Sequence, residues 1–276
     1  MDPKQKKIAI IAGVAVIALL GLFMVTSGGD QTPRQTVSPV EQIAQDDDIT
    51  NTEENGATAA IEGTEQSTAN DSAAAAPTEQ AQAEQAQEAV TIDVERALAV
   101  RGLGDPNAPL TVKEFSSFTC GHCGEFHKSV FDQFKSEFID TGKVYLIFSD
   151  FPLNGPAMHA SMVSRCLPEE RYFNFVDMLF KNQDDWAYDQ NYIDYLRRNA
   201  SLAGLGQAAF DACINNSQLR DGIVAGIRSA QEKYEINSTP TLVINETDKH
   251  TGAQNFAYYK GVIEAALAAL ENGSDE

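Results

Sequence analysis

Cations, cysteines and tryptophan are all scarce in this chain of 276 residues, which carries 20 Lys and Arg against 40 Asp and Glu, four cysteines and one tryptophan. The resulting net charge of −20 excludes a nucleic-acid backbone as partner, because phosphates would be repelled rather than exchanged for counterions. Four cysteines are too few for a disulfide-built scaffold, and two of them stand together in a CxxC. With 43% hydrophobic and 22% charged residues, the averages exclude a collagen-like, a wholly disordered and a polytopic membrane chain. What is present is unevenly spread. Residues 1–29 carry a net +2, residues 30–90 a net −12, and the rest the remaining −10.

The stretch from Ile8 to Val25 is 18 residues long without a charge or a strongly polar group. As a helix rising about 1.5 Å per residue it is near one hydrocarbon thickness, and it is expected to be a transmembrane anchor or a signal sequence. Lys4, Lys6 and Lys7 precede it and no Lys or Arg follows before Arg34, so residues 1–7 are placed in the cytoplasm and everything after Thr26 outside. The run exceeds the usual signal-peptide apolar core of about 7–15 residues, which favours an uncleaved anchor over cleavage at Val25-Thr26-Ser27. No cysteine follows it, which excludes a lipoprotein anchor there. Residues 26–91 are expected to be a disordered acidic linker rich in Ala, Gln and Glu, because they hold no aromatic residue and too little apolar surface to offset chain entropy.

Residues 92–276 have the composition of one globular domain. A turn-rich stretch, Gly102-Leu103-Gly104-Asp105-Pro106-Asn107-Ala108-Pro109, leads into the apolar, β-branched run Leu110 to Phe118, which predicts a strand. Cys120-Gly121-His122-Cys123 follows at once. Phe126, Val130, Phe131, Phe134 and Phe138 then recur as the apolar stripe of a helix covering a sheet. The CxxC is therefore expected at a strand-to-helix junction, with Thr119 as N-cap. A thiol there faces unpaired backbone N–H groups and the positive end of the helix dipole, which favours thiolate over thiol. His122, when protonated, adds a cation inside the motif. These features assign Cys120 as nucleophile and Cys123 as its buried resolving partner.

Other uses of the motif are weaker. Haem attachment needs a histidine at residue 124, which is Gly124. A structural zinc site needs a second ligand pair, but Cys166 and Cys213 are single and far apart. A copper-binding module using Cys120, Cys123 and either His122 or His127 remains as an alternative of another class, since soft thiolates suit Cu(I). His127 itself, one helical turn past Cys123, reads as a surface or packing residue. The aromatic set Trp186, Tyr188, Tyr192 and Tyr195 reads as packing rather than as a binding platform.

The ordered matches Gly104 to Pro109, Glu114 to Cys123, Phe148-Ser149-Asp150-Phe151-Pro152 and Ser238-Thr239-Pro240-Thr241-Leu242-Val243-Ile244-Asn245 resemble the DsbA-like family of exported thiol-disulfide oxidoreductases. The resemblance covers essentially all of residues 92–276. It implies an α/β fold, a thioredoxin-like central mixed sheet flanked by helices, with an all-helical insertion at about 153–234. Within the insertion, helical spacing recurs at Ala157–Leu167, Arg171–Lys181, Gln190–Ala200, Gln207–Ile214 and Leu219–Lys233. After Ile244, Lys249-His250-Thr251-Gly252 reads as a hairpin turn, and a last helix is expected from Val262 to Leu270.

The same resemblance implies a cis-proline at Pro240 facing the active sulfurs, with Thr239 offering backbone groups to an extended substrate. It links Glu114 to proton transfer with the resolving cysteine, and it implies a structural disulfide between Cys166 and Cys213. No cofactor and no metal are implied. The partners implied are reduced exported proteins and a DsbB-like membrane quinone reductase for reoxidation, at a bacterial inner membrane with the catalytic domain in the periplasm. The activity implied is that of an oxidase, with isomerase or reductase as alternatives, because the Gly121-His122 pair is similar to that of protein disulfide isomerase.

Overall fold

The structure is a computed structural model in which residues 90–273 are described. The expected anchor at 8–25 and nearly all of the expected linker lie outside the described residues. Among the described residues no helix is long and apolar enough to cross a membrane.

Strands β1 (Arg101–Leu103), β2 (Leu110–Ser116), β3 (Val144–Asp150), β4 (Thr241–Ile244) and β5 (Asp248–Thr251) form one sheet in the order β1-β3-β2-β4-β5. β2 and β3 run parallel, and the other neighbours are antiparallel. A short helix, α1 (Val94–Leu98), precedes the sheet, and α2 (residues 121–139) connects β2 to β3. α2 is α-helical at Gly121–Phe126 and Asp132–Phe134, and widens to π-helical turns at His127–Phe131 and Lys135–Ile139. Helices α3 (Gly155–Cys166), α4 (Glu169–Lys181), α5 (Tyr192–Leu202), α6 (Gln207–Ile214) and α7 (Ser217–Tyr234) lie between β3 and β4, and α8 (Phe256–Gly273) closes the fold.

The period-2 pattern of β2 decides which groups lie under α2. Leu110, Val112, Glu114 and Ser116 are buried on one face, and Leu110 and Val112 join Phe126, Phe134 and Phe138 of α2 and Tyr259 of α8 in one core. Phe115, Phe118 and Phe148 belong to a second core with the helices α3 to α7. Each such buried side chain contributes roughly 1.5–3 kcal/mol. That matters for α2, whose opening Gly-His-Cys-Gly is poor helix-forming sequence. Its aromatic stripe holds it to the sheet and thereby fixes where Cys120 and Cys123 stand.

Four details differ from the sequence reading. Gly102 and Leu103 lie in the stretch read as turn, yet Arg101–Leu103 pairs antiparallel with β3. Gly102 is there because a Cβ at that position would collide with the Tyr145 ring, not because the chain turns. The hairpin turn is at Asn245 and Glu246, both left-handed with φ of 44° and 70°, and the stretch read as the turn supplies β5. α8 begins at Phe256 rather than Val262, because Asn255 Oδ1 accepts from Tyr258 N at 2.9 Å and Gly261 is an ordinary helical residue. α5 starts at Tyr192, two residues later than its spacing suggests.

Candidate active site

β2 ends at Ser116, and four residues later Cys120 stands at the N-cap of α2. The N–H groups of Cys123 and Gly124 both donate to the Cys120 carbonyl at 3.0 Å, closing the first turn. Thr119 does not cap the helix as expected. Its hydroxyl donates to Asn154 Oδ1 at 3.1 Å, and the same Asn154 oxygen caps α3 through Ala157 N. The Cys120 side chain is left facing the backbone N–H groups of Cys123 and His122.

Cys120 and Cys123 are unbonded thiols with unequal surroundings, Cys120 half-buried and Cys123 fully buried. Cys120 is held down to about 5 by a hydrogen bond from the Cys123 thiol, against partial desolvation, with further donation from Thr239 and from the N–H groups of Cys123 and His122. Cys123 is pushed well above the ordinary cysteine range by burial first, then by the neighbouring Cys120 thiolate. In the thiol form Cys120 Sγ donates to the Thr239 carbonyl at 3.3 Å, a contact that favours the proton staying on. The Thr239 hydroxyl has no other partner and is the group that donates once the sulfur is ionised. The Thr239–Pro240 peptide bond is cis.

The expected residues fall into three places. Half-buried Cys120 meets the buried Thr239 and its neighbour Pro240 at the end of the sheet. Beneath them the Ser116 hydroxyl donates to Glu114 Oε1 at 2.7 Å and, turned the other way, favours the Cys123 thiolate, and Glu114 is fully buried on a central strand. Cys166 and Cys213 are joined by a disulfide that ties α3 to α6, 47 residues apart in the chain. His122 is exposed and contributes its backbone N–H to Cys120.

Four residues take places in the site that sequence reasoning did not assign, His127 having entered it only as an alternative copper ligand. His127 is buried with Nε2 3.0 Å from Glu114 Oε1, and its ring stacks on Phe180 at 4.1 Å between centroids. The signal was available, since His127 stands on the same apolar stripe as Cys123, Phe126 and Phe131. Ser116 shared the inward face of β2 with Glu114. Gln183, in a turn between α4 and α5, donates through Nε2 to the carbonyls of Phe118 at 2.8 Å and Cys120 at 2.9 Å. Gly124 makes room for it, because a Cβ there would collide with the Gln183 amide. Tyr188 is 69% exposed, contrary to its reading as packing, and donates to the Thr119 carbonyl at 3.0 Å. Trp186 is fully buried and donates to Leu179 O. Among the described residues no cluster of three or more His, Cys, Asp or Glu side chains is arranged to hold a metal ion.

A family model described as thioredoxin matches residues 96–265. The chain is similar to Wolbachia pipientis α-DsbA1, with 36% identity, 62% of this chain and 94% of that one covered, and a TM-score of 0.57. It is 26% identical over 181 residues to the disulfide bond formation protein D of Bacillus subtilis, covering 61% of this chain and 76% of the relative. A Rickettsia bellii protein, named by inference as a protein-disulfide oxidoreductase, is 26% identical over 176 residues. The match spans 66% of that relative and 53% of its Rickettsia typhi counterpart. The matched region contains both the CxxC at the head of α2 and the cis-proline opposite it, and the chain belongs to the DsbA-like thiol-disulfide oxidoreductases of the thioredoxin fold.

Proposed function

We propose that the chain is an envelope disulfide oxidase that donates the Cys120–Cys123 disulfide to exported proteins. The observation that carries this reading is the inequality of the two sulfurs, one held down to about 5 and the other pushed up by burial. Stabilising the Cys120 thiolate stabilises the reduced enzyme, which makes its disulfide the more oxidising. A substrate thiolate attacks Cys120 Sγ of the disulfide, the Cys120–Cys123 bond breaks, and Cys123 leaves carrying the electron pair. A second substrate thiolate then attacks the substrate sulfur of the mixed disulfide, releasing an oxidised substrate and the Cys120 thiolate. Two substrate thiols are oxidised to one disulfide, and one enzyme disulfide is reduced to two thiols.

In this reading an extended substrate pairs with the backbone of Thr239 beside cis-Pro240, as strand-adding peptides do. Glu114 exchanges a proton with Cys123, and His122 favours the thiolate. The apolar run 8–25 keeps the catalytic domain at the outer face of a bacterial inner membrane, where a DsbB-like quinone reductase would reoxidise it. The test is equilibrium titration of the full chain against glutathione. A potential near the DsbA end of the scale, about −120 mV, supports the oxidase, and one near the thioredoxin end, about −270 mV, overturns it in favour of a reductase. Recovery of activity from scrambled ribonuclease, in preference to oxidation of reduced ribonuclease, would make it an isomerase.

A further inference from the structure

The exchange as written leaves a proton to be found for Cys123, a sulfur with no exposure to solvent. The Ser116 hydroxyl faces that sulfur, and from Ser116 a bonded chain leads away to Glu114 Oε1 and on to His127 Nε2. Glu114 and His127 have side chains only 0% and 2% exposed, so neither exchanges protons with water directly. The chain continues in an outward direction. His127 Nδ1 and Asp177 Oδ1 are both buried without a hydrogen-bond partner, and the two residues line one narrow cleft together with Phe173 and Val176. The other Asp177 oxygen lies 2.9 Å from Lys181 Nζ, and the Asp177 side chain is 29% exposed.

We propose that His127 relays protons between the buried Cys123 sulfur and solvent, through Glu114 and Ser116 inward and through Asp177 outward. This rests on the thiol-disulfide exchange proposed above. When Cys123 leaves as a thiolate, it takes the Ser116 hydroxyl proton and Ser116 takes one from the Glu114–His127 pair. The pair, now one proton short, is refilled from water by way of Asp177. In the reverse direction the same steps remove the Cys123 proton before it attacks a mixed disulfide. The cleft is too narrow in this structure for a whole water molecule, so the outward step requires it to close or to widen as α4 moves against α2. The other ionisable groups near Glu114 are the Tyr172 and Tyr259 phenols, both kept protonated by burial, which leaves Asp177 with its partner Lys181 as the route to water. His127 touches neither sulfur and is a positioning residue in this scheme.

The test follows reduction of the Cys120–Cys123 disulfide by dithiothreitol in the full chain, by acid quench, alkylation and mass measurement, across pH and in D2O. His127→Phe keeps the stack on Phe180 and removes the exchangeable proton; it is expected to slow reduction by about 10²-fold, the low end of general acid–base contributions. His127→Ala is expected to be slow and to recover on adding imidazole. Asp177→Asn, at the edge of the fold, is expected to slow reduction less and to flatten the pH profile in the same direction. Wild-type rates and pH profile in both His127→Phe and Asp177→Asn would overturn the relay, as would a slow His127→Ala indifferent to imidazole. Should the His127 variants not fold, an unchanged profile in Asp177→Asn overturns it alone. A wild-type chain that exchanges no disulfide removes the proposed function itself, an outcome distinct from all of these.

Discussion

Cys120 and Cys123 stand three residues apart where α2 begins and are unbonded thiols, whereas Cys166 and Cys213 stand 47 residues apart where α3 and α6 end and are joined. The difference is one of helix polarity as much as of spacing. A sulfur at a helix start meets unpaired N–H groups that favour the thiolate; one in a last turn meets carbonyls that oppose it. Burial adds to the contrast, since Cys166, Cys213 and Cys123 are all buried and Cys120 alone is half-open. In the proposed exchange the same residue type is thus divided into one nucleophile, one concealed partner and one staple by the ends of helices on which it sits.

The largest effect expected from this contrast is on exchange. Cys120→Ser should abolish disulfide transfer to a reduced peptide, while the Cys166→Ala/Cys213→Ala double variant should retain it; equal loss in both would break the comparison. The next is a pH dependence. Cys120 is depressed from 9.0 to about 5, so its thiolate stabilises the folded reduced chain fully above pH 9, and that stabilisation is lost as pH falls to about 5. The oxidised chain has no such group to titrate. Denaturant melts should therefore show the reduced-minus-oxidised stability rising with pH through that window, by less than the full linkage slope because solvent screens the half-open Cys120, and a flat difference would remove the electrostatic half of the argument.

A third effect sharpens the other side. Removing the Cys166–Cys213 bridge, which closes a loop of 47 residues, should lower unfolding free energy by about 4 kcal/mol in the chain-entropy model, with little change in the redox potential of the CxxC. A clear shift in that potential would show that the two pairs communicate. The smallest effect belongs to Gly124→Ala, which pushes Gln183 off the active loop. A cost of about 1–3 kcal/mol is expected from overpacking, read in the midpoint of urea unfolding, and an unchanged midpoint would mean that Gln183 swings aside freely.

Much of this was legible in the sequence because it was written in local patterns. The apolar, β-branched run Leu110 to Phe118 announced β2, and the Phe stripe announced α2, so the sequence alone placed the CxxC between them. The insertion helices followed from spacing in the same way. Features fixed by contacts between distant segments were less visible. Arg101–Leu103 is a strand only because β3 offers an edge to pair with, and Gly102 looked like punctuation until Tyr145 was seen above it. His127 carried the right spacing but an ambiguous side chain, and its burial gains meaning from Glu114, 13 residues earlier on another element. Gln183 gave no signal at all, since an amide in a polar turn is unremarked until its two carbonyl partners are known.

That amide has a mechanical consequence. Gln183 grips the carbonyls of Phe118 and Cys120, one on each side of Thr119, while Tyr188 holds the carbonyl between them. The loop that carries the nucleophile is therefore strapped at three successive carbonyls, two of them by one residue, to a turn belonging to the insertion rather than to the sheet. Any tilt of α4 and its following turn arrives at Cys120 as a displaced peptide plane, so that a protein leaning on the insertion has a lever on the sulfur it is about to meet.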